Sequence, residues 1–366
     1  MKKTVYHLAK RLGLFALSRR LMRRRLLILC YHGFEVADES GFIPGTFMRA
    51  DTFERRLAQL RRSGHPVLPL PDAIERLQAG TLPDNAVCIT LDDGFVSTGT
   101  IAAQALAKAG FPSTLYVTTY YVEKQVPVFN LVVQYMFWKT SRKQVELEGG
   151  DYGIEGRFAL TDPAIVQALR TAIIEHGNSR SAAMRERICR KLGLLLGIDY
   201  AAIVRDRRFS LMTPAELQHV ERLGMDVQLH THRHCLPAGD RSAAMREVLE
   251  NARALQRMLG KDCLHLCYPS GKWQPHQLEW LQELGIVSAT TCDRGMNHAN
   301  VHPLALYRFV DSEAVSDIEF EAELAGFAEL LRILSGRQRR SARLRRLINA
   351  VGDPVGIPEP SRASAA

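Results

Sequence analysis

Val87-Cys88-Ile89-Thr90-Leu91-Asp92-Asp93-Gly94 is the stretch that decides the fold. Five β-branched or apolar residues run straight into two carboxylates and a glycine. So short a run reads as a fully buried strand, with polar groups where it ends. Working outward, runs of the same kind return as LLILCY (26–31), STLYVT (113–118), MDVQL (225–229), LHLCY (264–268) and VSATT (287–291). Between them lie segments of helical period, at residues 53–63, 100–110, 213–224, 240–259 and 274–284. The third opens with Thr213-Pro214-Ala215-Glu216, which supplies an N-cap, a proline at the first helical position and the glutamate of a capping box. Such alternation predicts an α/β fold on a largely parallel sheet, open or closed into a barrel.

In parallel α/β folds the functional groups gather where strands end. Four polar clusters directly follow apolar runs: Tyr31-His32-Gly33, Asp92-Asp93-Gly94, His230-Thr231-His232-Arg233-His234 and Pro269-Ser270-Gly271. Asp-Asp-Gly taken alone also describes a solvated turn. The histidine cluster shifts the weighing. His230 and His234 would be ~13 Å apart on an extended strand. A helical turn after Leu229 would bring them within ~6 Å on one face, able to share a metal, with His232 pointing elsewhere. Two imidazoles and one carboxylate leave coordination positions open, as a hydrolytic site needs.

Thr90-Leu91-Asp92-Asp93-Gly94 resembles the TFDDG motif of the NodB-homology polysaccharide deacetylases, carbohydrate esterase family 4, and His230 to His234 resembles their H-[ST]-x-x-H motif. The resemblance covers roughly residues 26–312. It implies an irregular (β/α)-barrel and hydrolysis of an N-acetyl group on a saccharide, whether polymer, oligosaccharide or lipid-linked glycan. It also implies Asp93, His230 and His234 as ligands of a divalent metal, with Asp92 as general base. Zinc is the first expectation for that ligand set, and Co, Ni and Fe suit it too.

The family's third motif, F-R-x-P-Y-G, survives here only as Pro269 and Gly271 within Leu266-Cys267-Tyr268-Pro269-Ser270-Gly271. Ser270 stands where the family has the Tyr whose backbone N–H holds the oxyanion, a role that a side-chain change leaves possible. Tyr268, Gly271 and Trp273 complete the expected substrate side, although Trp273 serves equally as packing. Cys267 replaces the arginine that orients the base, leaving Arg308 or Arg233 as candidates for that task. The family's C-terminal acid motif has no clean match. Leu29-Cys30-Tyr31-His32 instead resembles the relocated motif of the circularly permuted branch, similar to biofilm poly-N-acetylglucosamine deacetylases, and this makes His32 the expected acid. His298 is the fallback, and a structural His in a strand-end turn is the alternative.

The 48 Lys and Arg against 39 Asp and Glu give a formal charge of +9. That surplus is confined to two segments. Residues 1–25 hold nine bases and residues 332–347 hold seven arginines, with no acid in either. Residues 26–331 carry 31 bases against 37 acids, a body of net charge −6 that gives no reason to expect nucleic acid. Residues 1–25 read as a basic amphipathic helix with Val5, Leu8, Leu12, Phe15 and Leu21 at helical spacing; it would lie on an anionic membrane face or pack on the domain's own flank. Residues 122–210 read as a mainly helical insertion, 313–347 as helices ending in the Arg-rich run, and 348–366 as a disordered tail. Seven cysteines at scattered spacings argue against a disulfide framework. With no convincing signal segment, the expected place is the cytoplasm, peripheral at the inner membrane. The sequence does not indicate an oligomeric state. Two other functions fit the residues: a non-catalytic carbohydrate- or membrane-binding module on this fold, and a non-haem iron oxygenase using the two-His-one-Asp set.

Overall fold

The computed structural model describes residues 2–336. The Arg-rich run from residue 337 onward and the expected tail at 348–366 lie outside the described residues. The chain divides into two units, one of residues 2–119, 212–232 and 236–336, the other of Tyr120–Leu211 with the tripeptide Arg233–Cys235.

All six runs read as strands form strands in the first unit. They are β1 (Leu27–Tyr31), β2 (Val87–Leu91), β3 (Ser113–Val117), β4 (Met225–Leu229), β5 (His265–Cys267) and β6 (Ser288–Thr290). A seventh strand, β7 (Phe309–Val310), was not legible in the sequence. Every pairing is parallel, in the order β6-β5-β4-β3-β2-β1-β7. β1, β2 and β3 are buried along their whole length, which is why they read as continuous apolar runs.

One irregular segment closes the curl. The Leu306 N–H donates to Ala289 O and the Thr291 N–H donates to Leu306 O, so residue 306 lies on the free edge of β6. Three residues later Phe309 and Val310 pair with Leu29 and Cys30, on the free edge of β1. Residues 306–310 thus hydrogen-bond to both edges of the sheet and make a barrel of it. First and last strands are neighbours, the arrangement in which a strand can move between termini without disturbing a central site.

Helices cover the strands much as expected. Pro214–Arg222 starts with the full capping box of Thr213 and Glu216, and Arg241–Leu259 is capped by the Asp240 side chain. The helix expected at 100–110 is instead a π-helical turn over Thr98–Ala103 followed by Gln104–Ala109. The N-terminal segment is two helices, Lys2–Arg11 and Leu14–Met22, broken at Gly13, whose φ of 74° suits a residue without a Cβ. Tyr6, Ala9 and Phe15 pack against Phe327 and Ala328 of the closing helix Phe327–Leu334, and Ser18 Oγ donates to Ala325 O.

The second unit holds the apolar helix Phe129–Lys139, buried on nearly every face between Pro163–Asn178 and Ala182–Leu196. An antiparallel hairpin joins Gln144–Leu147 to Gly156–Ala159.

One buried histidine outside the strand ends gives the fold a pH response. His65 faces the Leu324 carbonyl through Nε2 at 3.0 Å and the Ser63 hydroxyl through Nδ1. Burial, helped by the Arg19 charge, pushes its pKa down from 6.5 to about 4. Between those values the unfolded chain takes up a proton that the folded chain refuses. The stability is complete above pH 6.5 and is lost as pH falls through 4, by roughly 3 kcal/mol. Urea titrations at pH 7 and pH 4 are expected to show that loss in the parent and a smaller one in His65→Gln. An identical pH dependence in both would rule the assignment out.

Candidate active site

The centre of the first unit is a carboxylate held by an arginine. Asp92 sits one residue beyond β2, and Arg308 sits in the closing segment between Leu306 and β7. Nη1 and Nη2 of Arg308 donate to Oδ1 and Oδ2 of Asp92, both at 2.7 Å, a bidentate fork between two wholly buried groups. Nε of Arg308 donates to Thr291 O at 2.8 Å and Nη1 reaches Thr90 Oγ1 at 3.2 Å, so the guanidinium plane is fixed. Two thiols face the same carboxylate oxygen, Cys267 Sγ at 3.4 Å and Cys30 Sγ at 3.6 Å from Oδ2. Burial and the neighbouring Asp92 keep both thiols protonated, and so able to donate, against the opposing pull of Arg308. Burial would raise the Asp92 pKa, but the charge and paired hydrogen bonds of Arg308, with His32 and His230 nearby, outweigh it and hold the carboxyl well below the usual range. Cys267, which stands where the family has its motif arginine, does not leave Asp92 without a guanidinium, because Arg308 reaches it from the closing segment.

Beside this pair lies the candidate metal centre. The chain turns sharply after β2, with Asp93 at φ 74° and Gly94 at φ 91°, so consecutive aspartates are not sent to opposite faces as they would be on a strand. One ligand atom from each of Asp93, His230 and His234 lies within 4.8 Å of the others. The convergence differs in kind from the expected helical turn. No helix follows Leu229; the chain bends through left-handed conformations at Thr231 (φ 62°) and His234 (φ 56°). With Asp93 and Ser270, four of the eight non-glycine residues of positive φ among the described residues fall in these strand-end motifs. Strained backbone of that kind persists only where surrounding structure over-determines it.

The surroundings are well defined. The Asn251 side chain accepts from the His230 N–H at 2.9 Å and donates to Val117 O and Thr119 Oγ1. Thr118 Oγ1 reaches both Thr231 O and His232 O at 3.0 Å. His230 Nδ1 donates to Cys267 O at 2.8 Å, which assigns the ring tautomer and turns Nε2 toward Asp93, 3.4 Å from its Oδ1. Burial opposes a positive charge on His230, but Asp93 and Asp92 reverse that and raise its pKa. The donor set and the electrostatics of this corner fit a cation. His232 turns away, with Nδ1 on Thr119 Oγ1 at 2.9 Å.

The other expected residues divide. His32, one residue beyond β1, brings Nε2 to 3.7 Å from Asp92 Oδ2 and is the most accessible of the buried group. Burial lowers its pKa in spite of Asp92 and Asp93. His298 does not join the site. It is exposed, and its neighbour Asn297 pairs with Leu26 at the N-terminal end of β1, the opposite end from His32. Ser270 lies in the turn after β5 at φ 54°, where hydrogen bonds run from the Gly271 N–H to Tyr268 O and from the Lys272 N–H to Pro269 O. Gly271 is obligatory, since a Cβ there would lie 2.5 Å from Cys292 Cβ and 2.8 Å from its backbone nitrogen. Tyr268 is turned into the core, its hydroxyl donating to Leu304 O at 2.9 Å, so its side chain does not face substrate as expected. Trp273 is partly exposed and stacks on that ring at 5.9 Å. Arg308 was named from sequence only as a candidate, because nothing local marks a residue whose partner is 216 positions away.

A parallel α/β barrel with buried acids and imidazoles gathered at the C-terminal ends of its strands has its polar groups where enzymes of this architecture carry out their chemistry. The chain belongs to the polysaccharide deacetylase family, whose profile matches residues 79–289. Among curated proteins no match was found. Solved structures share the fold. The deacetylase PplD of Streptococcus pyogenes, in complex with acetate, is 17% identical, with 81% of this chain and 96% of that one covered at a TM-score of 0.54. IcaB from Ammonifex degensii is 17% identical, with 83% and 97% covered at 0.51. The de-N-acetylase from Aggregatibacter actinomycetemcomitans is 12% identical, with 81% and 98% covered at 0.51.

Proposed function

We propose that this protein hydrolyses the acetamide of an N-acetylated saccharide, using a divalent metal held by Asp93, His230 and His234, to leave a free amine and acetate. The observation that carries the reading is the Arg308-clamped Asp92 placed beside that ligand set at the strand ends. A divalent ion there supplies Lewis acidity, polarising the amide carbonyl and acidifying water. Asp92, kept ionised and oriented by Arg308, takes the water's proton. Arg308 lowers the basicity of Asp92, which suits it to water that a bound ion would acidify. His32 stands next to Asp92 and is the group to carry a proton to the departing amine. The Ser270 N–H is the candidate donor to the developing oxyanion. Trp273 offers a ring edge to the sugar. The clamped second carboxylate favours hydrolysis over the iron-oxygenase reading, which needs none beside its three ligands.

The test is acetate release from N-acetylated oligosaccharides and from lipid-linked glycans. Activity is expected to vanish with a chelator and return with Zn, Co, Ni or Fe. No acetate from any N-acetyl substrate with any divalent metal would overturn the reading. Metal analysis after dialysis checks the ligands separately. Asp93→Ala and His230→Ala are each expected to weaken retention by more than ~100-fold, since losing even a partner of a ligand costs 10–100-fold. Stoichiometric metal in either variant would remove that residue from the set.

A further inference from the structure

The two N-terminal helices carry more apolar surface than the barrel uses. In Lys2–Arg11 the buried stripe is Tyr6 and Ala9, while Val5 and Leu8, with Leu12 in the turn just beyond, are exposed. Leu14–Met22 repeats the pattern, with Phe15, Ser18 and Met22 buried and Leu14, Leu17 and Leu21 exposed. In both helices the exposed stripe has i, i+3, i+7 spacing and lies one residue, about 100°, around from the buried one. The exposure is substantial, at 66% for Leu12 and 57% for Leu8 and Leu21. Docking on the domain's own flank therefore accounts for one stripe of each helix and leaves a second facing solvent.

Basic side chains border the second stripe. Lys2, Lys10, Arg23 and Arg25 pair with Glu319, Glu321, Asp84 and Glu329. Lys3, Arg11, Arg20 and Arg24 are exposed and have no ion pair among the described residues. Leu17 and Leu21 share one shallow depression with Arg20, Arg23 and Arg24, so apolar and cationic groups occupy the same patch. No acid occurs before Glu35. The core of a protein–protein interface is poor in lysine and has few unpaired charges. Leucines rimmed by unneutralised Lys and Arg are instead what a helix needs to lie in the headgroup layer of an anionic bilayer. No helix among the described residues is long and apolar enough to cross one.

We infer that the two helices Lys2–Arg11 and Leu14–Met22 form a membrane-docking device, clamped to the barrel by one stripe and inserted into an anionic bilayer surface by the other. The inference is independent of the catalytic reading.

Flotation of the full chain with phosphatidylcholine vesicles, with and without phosphatidylglycerol, tests it. Binding is expected only when phosphatidylglycerol is present, and it should weaken as salt screens the charge. The variant Leu12→Ser/Leu17→Ser/Leu21→Ser is expected to bind at least ~10-fold more weakly, with an unchanged melting temperature. A second variant, Leu12→Trp, is expected to be quenched by brominated lipid. The inference is overturned by absence of binding to anionic vesicles. It is equally overturned if the serine variant binds like the parent, since charge alone would then suffice. Self-association of the parent that the serine variant loses would assign the stripe to a second copy of the chain and also overturn it.

Discussion

Asp92→Asn is expected to cut acetate release by about 10²–10⁴-fold, the usual worth of a positioned base. The amide keeps the shape of the carboxylate, so substrate binding and metal content should persist. The substitution has a second consequence that the site geometry makes unavoidable. Arg308 is fully buried, and Asp92 takes both ends of its fork. Neutralising Asp92 leaves a guanidinium without its counter-charge in a closed interior, at a cost of about 3–5 kcal/mol. The loss of turnover must therefore be measured below the variant's own melting transition. Undiminished acetate release from folded Asp92→Asn would remove Asp92 from the reaction.

Arg308→Met gives the second large effect, and it separates positioning from chemistry. Methionine fills much of the space without the charge, so a buried Asp92 carboxylate loses its clamp. Its pKa should then rise, because burial is no longer opposed by Arg308. In the parent, Asp92 contributes stability that is present above its unfolded pKa and fades as pH falls. In the variant the sign reverses, and stability declines as pH rises above the unfolded value. Loss of about 3–5 kcal/mol near neutrality is expected, read by urea unfolding, together with a large fall in kcat at little changed KM. Asp92→Asn/Arg308→Met should be more stable than either single variant, because it removes both charges together. A double variant no better than the worse single would show that the two groups are not coupled. Arg308→Lys keeps the charge but not the planar fork, and should recover part of the stability and less of the activity.

These two residues also mark where sequence reading succeeds and where it stops. Asp92 was legible because its strand is fully buried, so Val87 to Leu91 form an unbroken apolar run and the carboxylates after it stand out. The same physics made β1 through β6 legible. β7 is two residues long and half of it is only partly buried, so no run exists to be read. Arg308 lies within that irregular segment, and its meaning comes from partners on β2, β5 and the residues after β6. His230 and His234 were recognised as converging, but the means was misjudged, because Thr231 and His234 adopt left-handed backbone that side-chain identity does not announce. Similarly, helical period extends across Gly13 without revealing the break there, and it cannot say which of two apolar stripes will be covered. His298 looked available as an acid because a sequence does not tell the two ends of a barrel apart.

The segment that closes the barrel has a consequence for how the protein comes into being. Every residue of the candidate ligand set precedes it in the chain, as do Asp92 and His32, yet the guanidinium that neutralises Asp92 is among the last residues of the barrel to be synthesised. Until residues 306–310 have bridged the two sheet edges, a nascent chain holds a desolvating carboxylate with no counter-ion. Hydrophobic collapse around β2 is therefore penalised before closure and favoured after it. Sealing the barrel and arming the site are one event, so a chain trimmed back to its first six strands would lack a catalyst and a stable fold for the same reason.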